Sequence, residues 1–183
     1  YKRQPYNVRI VKGKINSVIK LRESAIVLSA LEYDELTGLY IRQAFFHHAK
    51  TLMRVKNDQK FHVVVADVKN FKWINGTYGE KTGDQVLAYL GDAYKKQVHS
   101  GMVARYGGDQ FVAIVYGDLN LAEEKVEAAI HRIAERAPIS NLAVNYGIYE
   151  NVDKTLPLTL ICDRAFLAMK SIQNDYEHCL LYT

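Results

Sequence analysis

The stretch FHVVVAD, residues 61–67, decides the fold of this 183-residue chain. It is a short run of apolar and β-branched residues that ends at an acid, Asp67, and such a run is typical of a buried strand. The end of a buried strand is also where a rigid sheet presents side chains to a cleft. We therefore expect a sheet built around this strand, with Asp67 at its edge.

Helical and strand-like patterns alternate on either side of this strand. Apolar residues recur with a helical period over residues 41–55, 83–98, 121–137 and 160–170. Strand-like runs cover residues 142–149 and 179–182, and the runs 102–106 and 110–116 flank Gly107-Gly108 as in a β-hairpin. This order predicts an α+β fold, a sandwich in which helices flank a central, mostly antiparallel sheet.

A basic segment with a helical pattern precedes the domain. Its apolar residues are spaced by three and four residues: Val18, Leu21, Ala25 and Leu28. This spacing gives two heptads of a coiled-coil seam, or equally an amphipathic helix packed on a domain. We divide the chain into a connector or signalling helix, residues 1–31, and a domain, residues 32–183. Because the first residue is Tyr1 rather than Met, we also expect a longer parent protein.

The composition is that of a soluble globular protein, with 49% hydrophobic and 24% charged residues. No apolar run approaches the ~20 residues that a membrane-spanning helix needs. The two cysteines, Cys162 and Cys179, cannot form a disulfide framework and fit a reducing compartment. We therefore predict a cytoplasmic protein.

The net charge of +4 is divided unevenly along the chain. Residues 1–30 carry seven basic side chains and one acidic side chain, whereas residues 31–183 carry 17 basic and 19 acidic ones. A nearly neutral domain argues against a nucleic-acid surface, because phosphate binding needs a concentrated basic face. The basic N-terminal segment suits a membrane surface, nucleic acid or a solvated linker helix. We favour the linker, without a nucleic-acid or membrane partner.

Two acids stand where strands are predicted to end. Asp67 closes the buried strand, and Asp109 follows the two glycines of the hairpin, which permit positive φ angles. If the strands are neighbours, both carboxylates lie at one edge and could share divalent cations that clamp a triphosphate. Taken singly, Asp109 is equally a turn aspartate and Asp67 equally a helix N-cap.

Three polar residues near Asp67 have a similar double interpretation. Lys72 follows Asp67 by about one helical turn and could meet a phosphate as a point charge, or lie solvated on the surface. Asn75 and Asp84 could together recognise a guanine edge, because a carboxylate accepts hydrogen bonds and an amide both donates and accepts them. Otherwise Asn75 is a turn residue and Asp84 caps the following helix.

The order of several short motifs raises the odds of the functional interpretation. They are DELTGL at 34–39, D-x-x-x-F-K-x-I-N at 67–75, G-x-x-x-G-D at 79–84, RYGGDQF at 105–111 and Cys-Asp-Arg-Ala at 162–165. Together they resemble the GGDEF domain, the catalytic module of diguanylate cyclases, which join two GTP molecules into cyclic di-GMP. The resemblance covers residues 32–183 and implies the nucleotidyl-cyclase fold, a ferredoxin-like sheet flanked by helices.

The resemblance also implies roles for six residues that match the family pattern. Asp67 and Asp109 correspond to the acids that hold Mg²⁺. Asn75 and Asp84 correspond to the residues that recognise guanine. Lys72 and Lys170 correspond to contacts with the triphosphate.

The chain departs from the family pattern at several positions. Gln110 replaces the signature Glu, and a neutral amide is a poor metal ligand and proton acceptor at pH 7. Lys69 replaces the second acid of a D-x-D pair and should repel Mg²⁺ from Asp67. Gly76 stands where an Asp is expected, and Asn174 replaces an Arg that contacts phosphate. The R-x-x-D product site would fall at residues 98–101 and is absent from the sequence.

These departures favour a degenerate member, because losing one metal-type or oxyanion-type contact costs ~3 kcal/mol, or about a hundredfold in rate. Our first hypothesis is a GTP-binding regulatory module with little or no cyclase activity, attached to a sensor upstream and an EAL-type domain downstream. The alternative is an active diguanylate cyclase. It would work as a homodimer, because the 3′-hydroxyl of one GTP must attack the α-phosphate of the other. A second alternative is a dimerisation scaffold that binds no nucleotide.

Overall fold

The computed structural model describes residues 8–117, 128, 132–133 and 135–171. The helices with defined bounds are Val8–Glu32 (α1), Arg42–Val55 (α2), Phe71–Tyr78 (α3), Glu80–Gln97 (α4) and Leu158–Ser171 (α5). The strands are Tyr40–Ile41 (β1), Phe61–Val68 (β2), Gly101–Gly107 (β3), Gln110–Tyr116 (β4) and Val144–Tyr149 (β5).

One five-stranded sheet forms the centre of the domain, in the order β1-β3-β4-β2-β5. The short edge strand β1 pairs with β3 in parallel, and every other pair in the sheet is antiparallel. The strand predicted from FHVVVAD occupies an inner position between β4 and β5. The predicted α+β sandwich with a mostly antiparallel sheet is therefore confirmed.

Helices cover both faces of the sheet, which explains why β2 is apolar along almost its whole length. Successive side chains of a strand point to opposite faces. Val64, Ala66 and Val68 pack with α3 and α4 in one core. Val63 and Val65 pack with α2 and α5 in the other. Burial on both sides leaves no place for polar alternation.

The structure corrects several predicted boundaries. The helix expected over 83–98 begins at Glu80, and the strand expected over 142–149 begins at Val144. The sequence interpretation missed α3 and β1 altogether. Most of the helix predicted over 121–137, the strand predicted over 179–182, and Asn174 lie outside the described residues.

The long helix α1 precedes the domain. Its described apolar side chains are mostly solvent-exposed: Val11, Ile15, Val18, Ile19 and Leu21. The side chains of Ala25 and Leu28 lie outside the described part of the chain. At the end of α1, Glu32 Oε1 lies 3.3 Å from Nε2 of His48 on α2. None of the described helices is long and apolar enough to cross a membrane.

Candidate functional site

The hairpin between β3 and β4 brings together three of the residues selected from the sequence. Asp67 of β2 pairs in register with Gln110, the first residue of β4. The Gln110 Nε2 donates a hydrogen bond of 3.1 Å to Asp67 Oδ1. Asp109 precedes Gln110 in the turn, and its backbone carbonyl accepts a bond of 3.3 Å from the Val68 N–H. The predicted juxtaposition of the two acids is confirmed. We call Asp67, Lys69, Asp109 and Gln110 the strand edge.

The electrostatics of this edge disfavour a second negative charge. Burial raises the pKa of the Asp109 carboxyl above its usual range, and the nearby Asp67 carboxylate raises it further. Backbone hydrogen bonding and the Arg105 guanidinium oppose that rise without cancelling it. A bound cation would relieve the repulsion between these two carboxylates. At this edge, however, the next residue in the hairpin is a neutral amide.

Asp67 and Asp109 are the residues that the sequence assigns to Mg²⁺. This ion often binds through one or two carboxylates together with substrate phosphates and waters. The two carboxylates therefore fit one cation carried in with a nucleotide. Within the described residues, however, no three His, Cys, Asp or Glu side chains cluster as a metal site. Gln110 Nε2 also donates a hydrogen bond to one of the two Asp67 carboxylate oxygens. The strand edge lacks the acid-rich set of a two-cation site.

A network that the sequence interpretation missed braces the hairpin against the start of the domain. The Arg105 Nη1 lies 3.1 Å from both carboxylate oxygens of Asp34, and Arg105 Nε donates to the Gly108 carbonyl oxygen at 3.0 Å. Asp34 also accepts hydrogen bonds from the backbone and hydroxyl of Thr37. Burial alone would raise the pKa of Asp34, but these hydrogen bonds and the guanidinium hold it below its usual range. The network ties the turn that follows α1 to the hairpin between β3 and β4.

The helix corner, residues 71–84, holds the other predicted ligand residues. Helix α3 ends where the Gly79 N–H donates to the Asn75 carbonyl oxygen at 3.0 Å, and Gly79 adopts φ +85°. That angle is in a region open mainly to glycine, and it turns the chain directly into α4. The side-chain Oδ1 of Asn75 is buried and has no hydrogen-bond partner among the described residues. It lies beside Gly83, which is buried in the first turns of α4.

The other predicted ligand residues lie at exposed positions on helices. Asp84 is exposed inside α4, so the expectation that it caps this helix is wrong. Lys72 lies in the first turn of α3. The turn Lys69-Asn70 separates it from β2, so it does not continue a helix from Asp67. Asn70, in the left-handed region at φ 57°, precedes that helix in place of the N-cap considered for Asp67. Lys170 lies in the last turn of α5.

Comparison with known sequences identifies relatives over most of the chain. The family described as "Diguanylate cyclase, GGDEF domain" matches residues 31–175. The diguanylate cyclase DgcS of Shewanella oneidensis is 31% identical over 141 residues, which are 68% of this chain and 48% of that protein. DgcP of Escherichia coli is 31% identical over 121 residues, which are 62% of this chain and 36% of that protein. The chain thus spans about half or less of the relatives' length.

Solved structures share the fold at lower sequence identity. The coiled coil and GGDEF domain of DgcB from Caulobacter crescentus, solved with c-di-GMP, matches with a TM-score of 0.83. The match covers 98% of this chain and all of that one at 22% identity. The S helix, GGDEF and EAL segments of Vibrio cholerae LapD, bound to c-di-GMP, match with a TM-score of 0.71 at 17% identity. That match covers 89% of this chain and 40% of LapD. These likenesses confirm the predicted nucleotidyl-cyclase fold.

Proposed function

Because this chain belongs to the GGDEF domain family of diguanylate cyclases, we propose that it binds GTP as a regulatory module and has little or no cyclase activity. The proposal separates two tasks that an active member performs together, the recognition of the nucleotide and the formation of phosphodiester bonds. The helix corner is assigned the first task. The strand edge is assigned the second, and its residues are poorly suited to it.

The observation that carries the proposal is the hydrogen bond from Gln110 to Asp67. At the position of the family's signature Glu, an amide nitrogen satisfies the carboxylate that the family uses for metal. An amide cannot accept a proton at neutral pH, and it adds no negative charge to hold a cation. Lys69, two residues beyond Asp67 and exposed, adds a positive charge to the same edge. When bound, Mg²⁺ would offset phosphate charge there, held by Asp67 and Asp109.

Support for nucleotide binding comes from the helix corner. The buried, unpartnered Oδ1 of Asn75 is a hydrogen-bond acceptor that a guanine N–H group could satisfy, and an unmade buried bond is costly. Asp84 is exposed nine residues further along the chain and can accept from the same base edge. Lys72 and Lys170 are both exposed, and their ammonium groups can meet the triphosphate as point charges.

The proposal includes the setting of the domain in a longer protein. The N-terminal segment, residues 1–31, acts as a signalling connector, and the exposed apolar side chains of α1 suit pairing with a second copy as a coiled coil. The DgcB structure contains a coiled coil together with the GGDEF domain, and the LapD structure contains an S helix, a GGDEF and an EAL segment. A sensor upstream and an EAL-type domain downstream are therefore the partners we propose, with homodimerisation through α1.

Two measurements on the purified chain test the proposal. Calorimetric titration with GTP, and with ATP as the matched nucleotide, measures recognition of the base. Incubation with GTP and Mg²⁺, followed by chromatography, measures cyclic di-GMP. We expect binding that prefers GTP over ATP by at least tenfold and no detectable product. The absence of guanine-specific heat would reject binding and favour the scaffold.

The alternative function, an active homodimeric cyclase, is favoured by one observation. Asp67 and Asp109 are both retained and lie side by side at the strand edge, as the family's metal-binding acids would. Sustained production of cyclic di-GMP, at a rate that rises with the square of the protein concentration where the monomer predominates, would establish this alternative. The same result would reject our proposal.

A further inference from the structure

We infer that Gly83 is a positioning residue for Asn75. Its missing side chain leaves the space in which the Asn75 amide lies ready for a nucleotide base. The inference rests on the proposed function for its consequence, GTP binding. Its geometric content, the orientation of the Asn75 side chain, can be tested without any ligand.

The geometry of the helix corner leads to this inference. A Cβ atom placed on Gly83 would overlap the Asn75 Oδ1 and lie 3.0 Å from its Cγ. The same Cβ would lie 3.2 Å from Cζ of Phe71, on the first turn of α3. Gly83 is buried and its φ angle lies outside the range that favours glycine, so the backbone conformation does not demand a glycine here. The space does demand one.

The backbone of the corner is held too firmly to move away from an added methyl group. The N–H groups of Thr82 and Gly83 donate to the Gly79 carbonyl oxygen at 3.0 and 3.2 Å. The Thr82 hydroxyl donates to the Tyr78 carbonyl oxygen at 2.8 Å. The Asn75 amide, in contrast, is the end of a side chain that can rotate. A methyl group at position 83 should therefore displace the Asn75 side chain and leave the helices in place.

Other glycines show how different this site is. A Cβ on Gly91 would meet the backbone oxygen of Thr37 at 2.8 Å, and one on Gly147 would meet the backbone oxygen of Ala165 at 2.5 Å. Those contacts join packed elements through their backbones, so a side chain there would strain the fold. Gly76, on α3 beside Asn75, has nothing within 4 Å of an added Cβ. Among the glycine contacts in the described part of the chain, only the one at Gly83 falls on a side chain assigned to ligand recognition.

The experiment compares Gly83→Ala with Gly76→Ala, a matched control in which the same methyl group points into open space. The resonance of the Asn75 side-chain amide is followed by ¹⁵N–¹H NMR on the whole chain without nucleotide, and GTP affinity is then measured calorimetrically. We expect Gly83→Ala to shift this resonance and to weaken GTP binding at least tenfold, with circular dichroism unchanged. Gly76→Ala should leave the Asn75 side-chain resonance unshifted and the GTP affinity within twofold of the wild-type value.

The double variant Asn75→Ala/Gly83→Ala keeps the inference testable if the single variant does not fold. Removing the Asn75 amide vacates the space for the new Cβ, so the double variant should fold and bind GTP as weakly as Asn75→Ala alone. An unmoved Asn75 resonance in folded Gly83→Ala would overturn the inference. So would a double variant that fails to fold or binds more weakly than Asn75→Ala. If the wild type binds no GTP, the proposed function fails while the resonance still reports on Gly83.

Discussion

The helix corner and the strand edge, which the proposed function joins in one site, depart from the family pattern to different degrees. The corner keeps Asn75 on α3 and Gly83 and Asp84 on α4, on either side of a junction at Gly79 that backbone hydrogen bonds hold. The edge keeps Asp67 and Asp109, but an amide donates to the first and burial raises the pKa of the second. Under the proposed function, the corner recognises a nucleotide while the edge lacks the charges that catalysis needs. Binding needs shape and hydrogen bonds, whereas bond formation also needs stabilisation of the transition state.

Restoring the acids of the strand edge should have the largest effect and would remove the contrast. We predict that Gln110→Glu combined with Lys69→Asp raises cyclic di-GMP production about a hundredfold or more, since one such contact is worth ~3 kcal/mol. Gln110→Glu alone should give a smaller gain because Lys69 remains. Product is measured by chromatography after incubation with GTP and Mg²⁺. The control Gln43→Glu adds the same charge as Gln110→Glu alone, at an exposed position of α2. An inactive double variant would show that residues outside the strand edge prevent cyclase activity.

Weakening the helix corner should remove binding and leave the strand edge unchanged. We predict that Asp84→Ala weakens GTP binding by about 2 kcal/mol, roughly thirtyfold, because a hydrogen bond to a charged acceptor is lost. Asp92→Ala is the control, since Asp92 is exposed on the same helix and lies 3.8 Å from Lys96. Calorimetry measures both variants. Equal affinities for GTP would show that Asp84 does not contact the base.

The network between Asp34 and Arg105 should affect stability more than binding. Arg105→Ala leaves the mostly buried Asp34 carboxylate without its guanidinium. We expect a loss of about 2 kcal/mol, or roughly 4–8 °C in Tm at pH 7. Lys96→Ala, which removes the exposed pair with Asp92, should cost less than about 0.5 kcal/mol. Thermal unfolding followed by circular dichroism compares them, and equal losses would contradict the bracing role of Arg105.

The same network predicts how the stability of the fold depends on pH. The folded state lowers the pKa of Asp34, so this residue stabilises the protein above its unfolded pKa of about 4. That contribution is lost as the pH falls through the lowered folded pKa. In Arg105→Ala the acid-induced part of the loss should shrink.

The smallest expected effect concerns the destabilising charge of Asp109 at the strand edge. The folded state raises the pKa of Asp109, so the stability linked to its protonated form is present below about pH 4 and lost as the pH rises through the folded pKa. At pH 7 the ionised group therefore opposes folding. We predict that Asp109→Asn raises Tm at pH 7 by about 1–2 °C, and by less at pH 4. A lower Tm at pH 7 would show that the Asp109 charge is compensated.

Much of the fold could be predicted from the sequence because its signals are local. The apolar run of β2 and the two glycines before Asp109 specify a buried strand and a hairpin through short-range rules. Helix α3 was missed because it has only eight residues and includes Gly76, which weakens helix propensity. Asn70, which precedes the helix in the left-handed region, makes no side-chain cap hydrogen bond.

The site was predicted less completely than the fold, since its contacts join distant segments. The motifs placed Asp67, Asp109 and Gln110 at one edge, and the register of β2 and β4 bears this out. No spacing rule could pair Asp34 with Arg105, which are 71 residues apart. The role of Gly83 also depended on the packing of α4 against Asn75. A glycine in a sequence does not reveal which side chain occupies the space beside it.

The fate of the bound nucleotide tests the central claim most directly. The purified chain is incubated with excess GTP and Mg²⁺, freed of unbound nucleotide and denatured, and the released nucleotide is identified by chromatography. If the protein binds GTP without converting it, the denatured protein should release intact GTP. Recovery of cyclic di-GMP, or of no nucleotide at all, would contradict that account.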